Sequence, residues 1–257
     1  LIEDLNISVL QWDLLWENPK ANHSFIDHHF STENTAKPDL VILPEMFSSG
    51  FTRDFTEKPP YESLEWMKGL AQKQSCRIFG SLAVAENNTA YNRGFWVNPD
   101  GTSEIYNKKH LFKYGNEHHT FGPGDAILQT QLKGWVVRPL ICYDLRFPVW
   151  ARNTKPYYDI LVYVASWPEV RRQAWLALLK ARAIENQCYV IGVNRIGKDG
   201  YDISYSGDTC VFDFKGETLL DACNVEGRFD LTLSYSELQE FRQKFPFLED
   251  ADEWKWS

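Results

Sequence analysis

Short apolar runs alternate along this chain with longer stretches whose apolar residues recur at helical spacing, and the two rhythms predict the elements. Asn6 to Leu10 alternates before reaching Gln11 and Trp12, a first strand. Asn18-Pro19 offers a capping side chain followed by a proline suited to the first helical position, which predicts a helix to about Phe30. The apolar run Leu40 to Leu43 predicts a strand that stops at Pro44-Glu45, with Met46 to Phe51 looping over the same sheet edge. Glu62 to Gln74 carries Leu64, Met67, Leu70 and Ala71 at helical spacing, and Arg77 to Val84 resumes a strand. The order so far is β-α-β-α-β.

Paired strands follow. Asn92 to Asn98 and Thr102 to Tyr106 flank the turn signal Pro99-Asp100-Gly101, a hairpin that delivers Lys108. Lys113 to Asp125 reads as a loop, and Asp159 to Ala165 as a strand ending at Ser166-Trp167-Pro168. Arg171 to Gln187 is the longest expected helix, with Trp175, Leu178, Leu179 and Arg182 along one side, followed by a strand from Cys188 to Val193. Asn194 to Gly200 interrupts with turn residues. Thr209 to Phe214 and Glu217 to Leu220 predict a second hairpin, Arg228 to Leu233 a last strand, and Ser234-x-x-Glu237 a capping box opening a helix that ends before Pro246. Helices between strands, together with hairpins, predict an α/β fold whose sheets are mixed rather than purely parallel.

The chain has 257 residues without a linker-like change of composition, so a single domain over 1–257 is expected. Its 27 basic and 35 acidic residues give a formal charge of −8 without long blocks of either sign, which speaks against a nucleic-acid or membrane-surface partner. Five widely spaced cysteines, Cys76, Cys142, Cys188, Cys210 and Cys223, fit neither a disulfide framework nor a structural zinc, and place the chain in the reducing cytoplasm. Leu1-Ile2-Glu3-Asp4 contains acids and leads at once into a strand pattern, so no signal peptide is expected. No apolar run approaches the roughly 20 residues that span a bilayer.

Within this frame one stretch concentrates chemistry. The apolar run through Leu140 and Ile141 halts at Cys142, with Asp144, Arg146 and Pro148 just beyond, so a thiol sits where a strand ends. Substrates bind at that edge of open α/β sheets, and a helix N-terminus there can stabilise a thiolate. The other reading is a small buried core residue. Asp39 to Glu45 and Ile105 to Phe112 likewise deliver a carboxylate and a lysine just beyond hydrophobic sequence.

Leu43-Pro44-Glu45, Tyr106-x-Lys108-x-His110-Leu111-Phe112 and Cys142-Tyr143-Asp144-Leu145-Arg146-Phe147-Pro148, in that order and spacing, resemble the nitrilase superfamily of carbon–nitrogen hydrolases. Asn6 to Gln11 and Lys180 to Gln187 extend the resemblance over nearly the whole chain. It implies a four-layer αββα sandwich, with Cys142 as a nucleophile forming a thioester, Glu45 as general base and acid, and Lys108, aided by the Tyr143 backbone N–H, facing the oxyanion. Lys109 is the alternative lysine; the family's spacing to the His-Leu-Phe triplet favours Lys108. Glu117 looks like the family's second glutamate, against an exposed loop carboxylate as its other reading. His110, Asp144, Arg146, Arg182 and Glu185 are read as structural, His118 and His119 as loop residues. Cys142 is expected to be alkylated faster than the other four thiols.

Pro44 to Phe51, Ala165 to Pro168 and Asn194 to Gly200 look most similar to the omega-amidase branch, which hydrolyses the terminal amide of 2-oxoglutaramate or 2-oxosuccinamate. Such a substrate needs a cation for its far carboxylate, from among Arg53, Arg171, Arg172 and Arg195. Phe47, Tyr143 and Trp167 are candidates to line the pocket. The alternatives are an aliphatic amidase, an N-carbamoyl amidohydrolase, a nitrilase, or a non-catalytic member that binds a metabolite or protein. The resemblance implies a homodimer, and three side chains that complete the chemistry imply no cofactor or metal.

Overall fold

Alternation along each strand decides which face of a sheet a residue covers, and here both faces of both sheets are put to use. The structure, a computed structural model, describes residues 2–31 and 37–252; Leu1, the start of the acidic opening, lies outside them. The first half of the chain forms β1 (Leu5–Gln11), α1 (Pro19–His29), β2 (Leu40–Ile42), α2 (Glu62–Gln74), β3 (Arg77–Glu86), β4 (Thr89–Val97) and β5 (Ser103–Asn107). There follow β6 (Thr130–Leu132), β7 (Trp135–Ile141), α3 (Pro148–Ala151), β8 (Ile160–Val164), α4 (Arg172–Asn186) and β9 (Tyr189–Val193). The remainder is β10 (Ile196–Lys198), β11 (Ser204–Ser206), β12 (Cys210–Phe212), β13 (Thr218–Asp221), β14 (Gly227–Leu233) and α5 (Tyr235–Lys244).

One six-stranded sheet has the order β14-β1-β2-β3-β4-β5, with β1, β2 and β3 parallel and antiparallel strands on either side. The second, β13-β12-β9-β8-β7-β6, repeats that plan around parallel β7, β8 and β9. On β2, Leu40 and Ile42 face inward into one core shared with Leu140, Val162 and Ile191 of the second sheet. Val41 and Leu43 point the other way, against Ile26 of α1 and Met67 and Leu70 of α2. Trp175, Leu179 and Ala183 of α4 join the core from the far side. A Cβ on Gly192 would meet Leu179 at 2.4 Å, so α4 seats on β9 at a place without a side chain. These layers form the αββα sandwich that the resemblance implied, with mixed sheets. No helix among the described residues is long and apolar enough to cross a membrane.

The expected strands and helices recur with small shifts in their ends. Asn18 caps α1 through its side chain, which accepts from the Ala21 N–H at 3.2 Å, with Pro19 at the first position. The capping box at Ser234 does not form: Ser234 precedes α5 as expected, but its hydroxyl pairs with Ser236 and makes no cap. β3 and β4 make a hairpin through Asn87 and Asn88, both at positive φ, a turn that the sequence reading did not place. The segment taken as turn residues after Asn194 instead contributes β10, which pairs with β11 as a small two-stranded ribbon.

Candidate active site

The carboxyl ends of β2, β7 and β8 and the end of β5 meet at one place, where the strand-end residues come together. Leu43-Pro44-Glu45 leaves β2, Lys108 follows β5, Cys142 follows β7, and Ser166 lies just past β8. Cys142 stands at φ 45°, a left-handed conformation unfavourable for any residue with a Cβ, and it opens the 3₁₀ turn Cys142–Arg146. Asp144 holds that turn. Its buried carboxylate accepts from the Ile141 N–H at 3.1 Å, the Tyr106 hydroxyl at 2.7 Å, and the His110 N–H at 2.9 Å. His110 Nδ1 lies 2.8 Å from the same carboxylate. Tyr106 and His110 stand two residues either side of Lys108, so Asp144 fastens the cysteine turn to the lysine segment.

Lys108 is 1% exposed and lies between two carboxylates. Its Nζ donates to Glu45 Oε1 at 2.8 Å and to Glu117 Oε1 and Oε2 at 2.9 and 3.0 Å. Glu45 also accepts the Ser166 backbone N–H at Oε2, 2.7 Å. Asn92, which no motif singled out, donates its Nδ2 to Glu45 Oε1 at 2.7 Å and to Glu117 Oε1 at 3.2 Å. Glu117 takes the Phe112 N–H at 2.5 Å, so it is a buried member of the cluster and not an exposed loop carboxylate. Burial opposes charge on Lys108, but the Glu117 and Glu45 carboxylates outweigh it and hold its pKa above the ordinary lysine value. Burial also raises Glu117 above the usual carboxylate range; Lys108 pulls against that shift and Glu45 adds to it.

Cys142 and Lys108 border a cavity of about 640 Å³, which Phe51, Phe112, Tyr143 and Trp167 also line. Tyr143 is the second residue of its 3₁₀ turn, where a backbone N–H has no acceptor within the turn. Two expected pocket residues lie elsewhere. Phe47 is turned away by the positive φ of Met46 and packs over Gly80, where a Cβ would sit 3.0 Å from its ring. Arg195 is fully buried, bound to Asp13 at 2.7 Å and to the carbonyls of Leu14, Ile196 and Lys198, and it braces the ribbon instead of facing the cavity. Arg172 pairs with Asp208 at 2.8 Å. Arg53 and Arg171 do line the cavity, joined by Arg146, which the sequence reading took as structural. Lys109 places its ammonium over the Trp150 ring and stays out of the charged cluster.

The sequence matches the carbon-nitrogen hydrolase family over residues 9–243. The chain belongs to the carbon–nitrogen hydrolases. It is 41% identical to omega-amidase YafV of Escherichia coli strain K12, with 98% of each chain covered. To the 2-oxoglutaramate amidase of Bacillus subtilis strain 168 it is 31% identical over 95% of this chain and 96% of the relative. Among solved structures it resembles XC1258 of Xanthomonas campestris, a CN-hydrolase superfamily protein with an arsenic adduct in its active site, with a TM-score of 0.95, 37% identity and 99% of each chain covered. The chain is thus an amidase-type hydrolase of carbon–nitrogen bonds.

The thiols of this hydrolase differ sharply in their surroundings. Burial first, and the Glu45 carboxylate second, push Cys142 well above the ordinary thiol range, so the short turn it opens does not produce a resting thiolate. Cys76 and Cys188 are pushed up to about 12 by burial, and Cys210 is raised well above the thiol range by the same cause. Cys223 is exposed, so a reagent reaches it in open solvent, and the expected faster alkylation of Cys142 is read most cleanly without it. In a Cys223→Ser chain, one thiol is therefore expected to alkylate under native conditions, Cys142 at the cavity. Its rate should climb as pH rises past the ordinary thiol range, because a raised pKa delays thiolate formation. Peptide mapping by mass spectrometry checks this; labelling of Cys76, Cys188 or Cys210 ahead of Cys142 would contradict it.

Proposed function

We propose that this hydrolase cleaves the terminal amide of a small 2-oxo acid amide, 2-oxoglutaramate or 2-oxosuccinamate, to the carboxylate and ammonia. The observation that carries the chemistry is a cavity bordered by the Cys142 thiol and by Lys108, whose ammonium the buried Glu45 and Glu117 carboxylates share. The relatives named omega-amidase and 2-oxoglutaramate amidase, aligned over nearly the whole chain, support the substrate class.

In this reading Glu45 takes the thiol proton as Cys142 Sγ bonds to the amide carbon. The oxygen of the tetrahedral intermediate gains its charge facing the Lys108 ammonium and the Tyr143 N–H. Glu45 passes the proton to nitrogen, the carbon–nitrogen bond breaks, and ammonia leaves a thioester on Cys142. Water then attacks the thioester as Glu45 removes its proton; the carbon–sulfur bond breaks and the proton returns to sulfur. The raised pKa of Lys108 keeps it an ammonium throughout. Glu117 and Asn92 hold Lys108 and Glu45 in place without touching the substrate.

Ammonia release by the wild-type chain tests the assignment. The two 2-oxo acid amides are expected to give a kcat/KM at least about 100-fold above that of propanamide, an N-carbamoyl amine or a simple nitrile. Preference for the carbamoyl amine or the nitrile would move the chain to that activity within the same family.

A further inference from the structure

Among the described residues, two cations at the cavity contact only aromatic rings. Arg146 lays its guanidinium 5.1 Å from the Trp167 ring centroid, and Arg171 lies 5.0 Å from that of Phe112. Among the described residues neither side chain has a hydrogen bond or ion pair, although both line the cavity. The remaining cations there are engaged: Lys108 by Glu45 and Glu117, and Arg53 by the Tyr201 hydroxyl and the Gly115 carbonyl, each at 3.4 Å. Two carboxylates also border the space, Glu169 and Asp202, and Lys198 holds Asp202 at 2.8 Å. A guanidinium stacked on an aromatic ring keeps its fork of in-plane N–H donors free for a planar acceptor.

We infer that Arg146 and Arg171 form a clamp for a carboxylate and the carbonyl oxygen beside it, which selects 2-oxo acid amides against the corresponding 2-amino acid amides. Arg146 comes from the turn of the cysteine and Arg171 from the loop after Ser166, so the clamp is built on the two segments that also carry the thiol and the Glu45 partner. The inference rests on the proposed substrate class. A 2-oxo acid presents its carboxylate and keto oxygens as adjacent acceptors in one plane, which matches two forks of donors. The 2-amino acid sets an ammonium at that position, where donors face donors and like charges meet. Asparagine therefore lacks the match that 2-oxosuccinamate has.

The test is titration calorimetry on the folded Cys142→Ala chain, where binding is read without turnover. 2-Oxosuccinamate is expected to bind more than about 100-fold tighter than asparagine. Adding Arg146→Met or Arg171→Met is expected to weaken 2-oxosuccinamate about tenfold to hundredfold, the usual effect of losing charge-assisted hydrogen bonds. Circular dichroism confirms the fold of each variant, and methionine keeps an apolar stem on the aromatic ring. Unchanged affinity in both arginine variants, equal binding of asparagine, or no binding of 2-oxosuccinamate at all would each overturn the clamp. A wild-type chain that binds 2-oxosuccinamate through the arginines yet releases no ammonia from it would instead sink the proposed activity and leave the clamp standing.

Discussion

Cys142→Ala is expected to lose ammonia release by a factor on the order of 10⁴ or more while keeping its fold. The thiol is the bond-forming atom in the proposed reaction, and among the described residues the nearby Ser166 hydroxyl is taken up by donating to the Glu45 carbonyl at 3.4 Å. Alanine holds the same left-handed backbone at residue 142 about as poorly as cysteine does, so that strain is unchanged. The lost packing of one sulfur costs about 1 kcal/mol, within the range of ordinary substitutions. Cys142→Ser is expected to be nearly as inactive, since its hydroxyl takes the same place but is a poorer nucleophile at this pH. Activity above a hundredth of wild type in a folded Cys142→Ala chain would remove the thiol from the mechanism.

The second large effect is on stability. Lys108→Met is expected to destabilise the fold by about 3–5 kcal/mol, because it leaves the Glu45 and Glu117 carboxylates facing each other in a water-poor site without their shared cation. Activity should vanish as well, since the oxyanion loses its ammonium. Pairing it with Glu117→Gln separates the two consequences. One uncompensated carboxylate is then gone, so urea denaturation should show part of the stability recovered while ammonia release stays absent. A Lys108→Met chain as stable as wild type would mean that the cluster is not held as an ion pair.

How legible the site was depended on where each side chain sits along its strand. Glu45, Lys108 and Cys142 each stand one to three residues past an apolar run, and in a layered α/β fold such ends gather on one edge, which with the family's spacing singles out the three residues; the sandwich's layer count comes from the resemblance, since periodicity alone does not give it. Asn92 lies mid-strand in β4, where an isolated polar residue carries no spacing signal, although it bridges both carboxylates. Phe47 and Arg195 were misplaced for a different reason. A positive φ at Met46 sends Phe47 to the helical side of the first sheet, and Asp13, distant in sequence, captures Arg195. Arg146 reads as a turn residue from its motif position, whereas its direction depends on Trp167 from the loop after β8. Such orientations are set by contacts between distant segments, which periodicity does not encode.

The split of the site between the two sheets also bears on how the chain matures. Glu45, Asn92, Lys108 and Glu117 all belong to the first half of the chain, and Cys142 and Ser166 to the second. The hydrogen bond from the Ser166 N–H to Glu45 therefore forms only once the sheets have closed on each other. In the proposed reaction, a chain with only its first half ordered holds the charges without the nucleophile, and a loose second half holds the thiol without its base. In that reaction amide cleavage is a readout of docking: the thiol meets its base only when the shared core has formed, so partly folded chains would carry no working acyl-transfer centre.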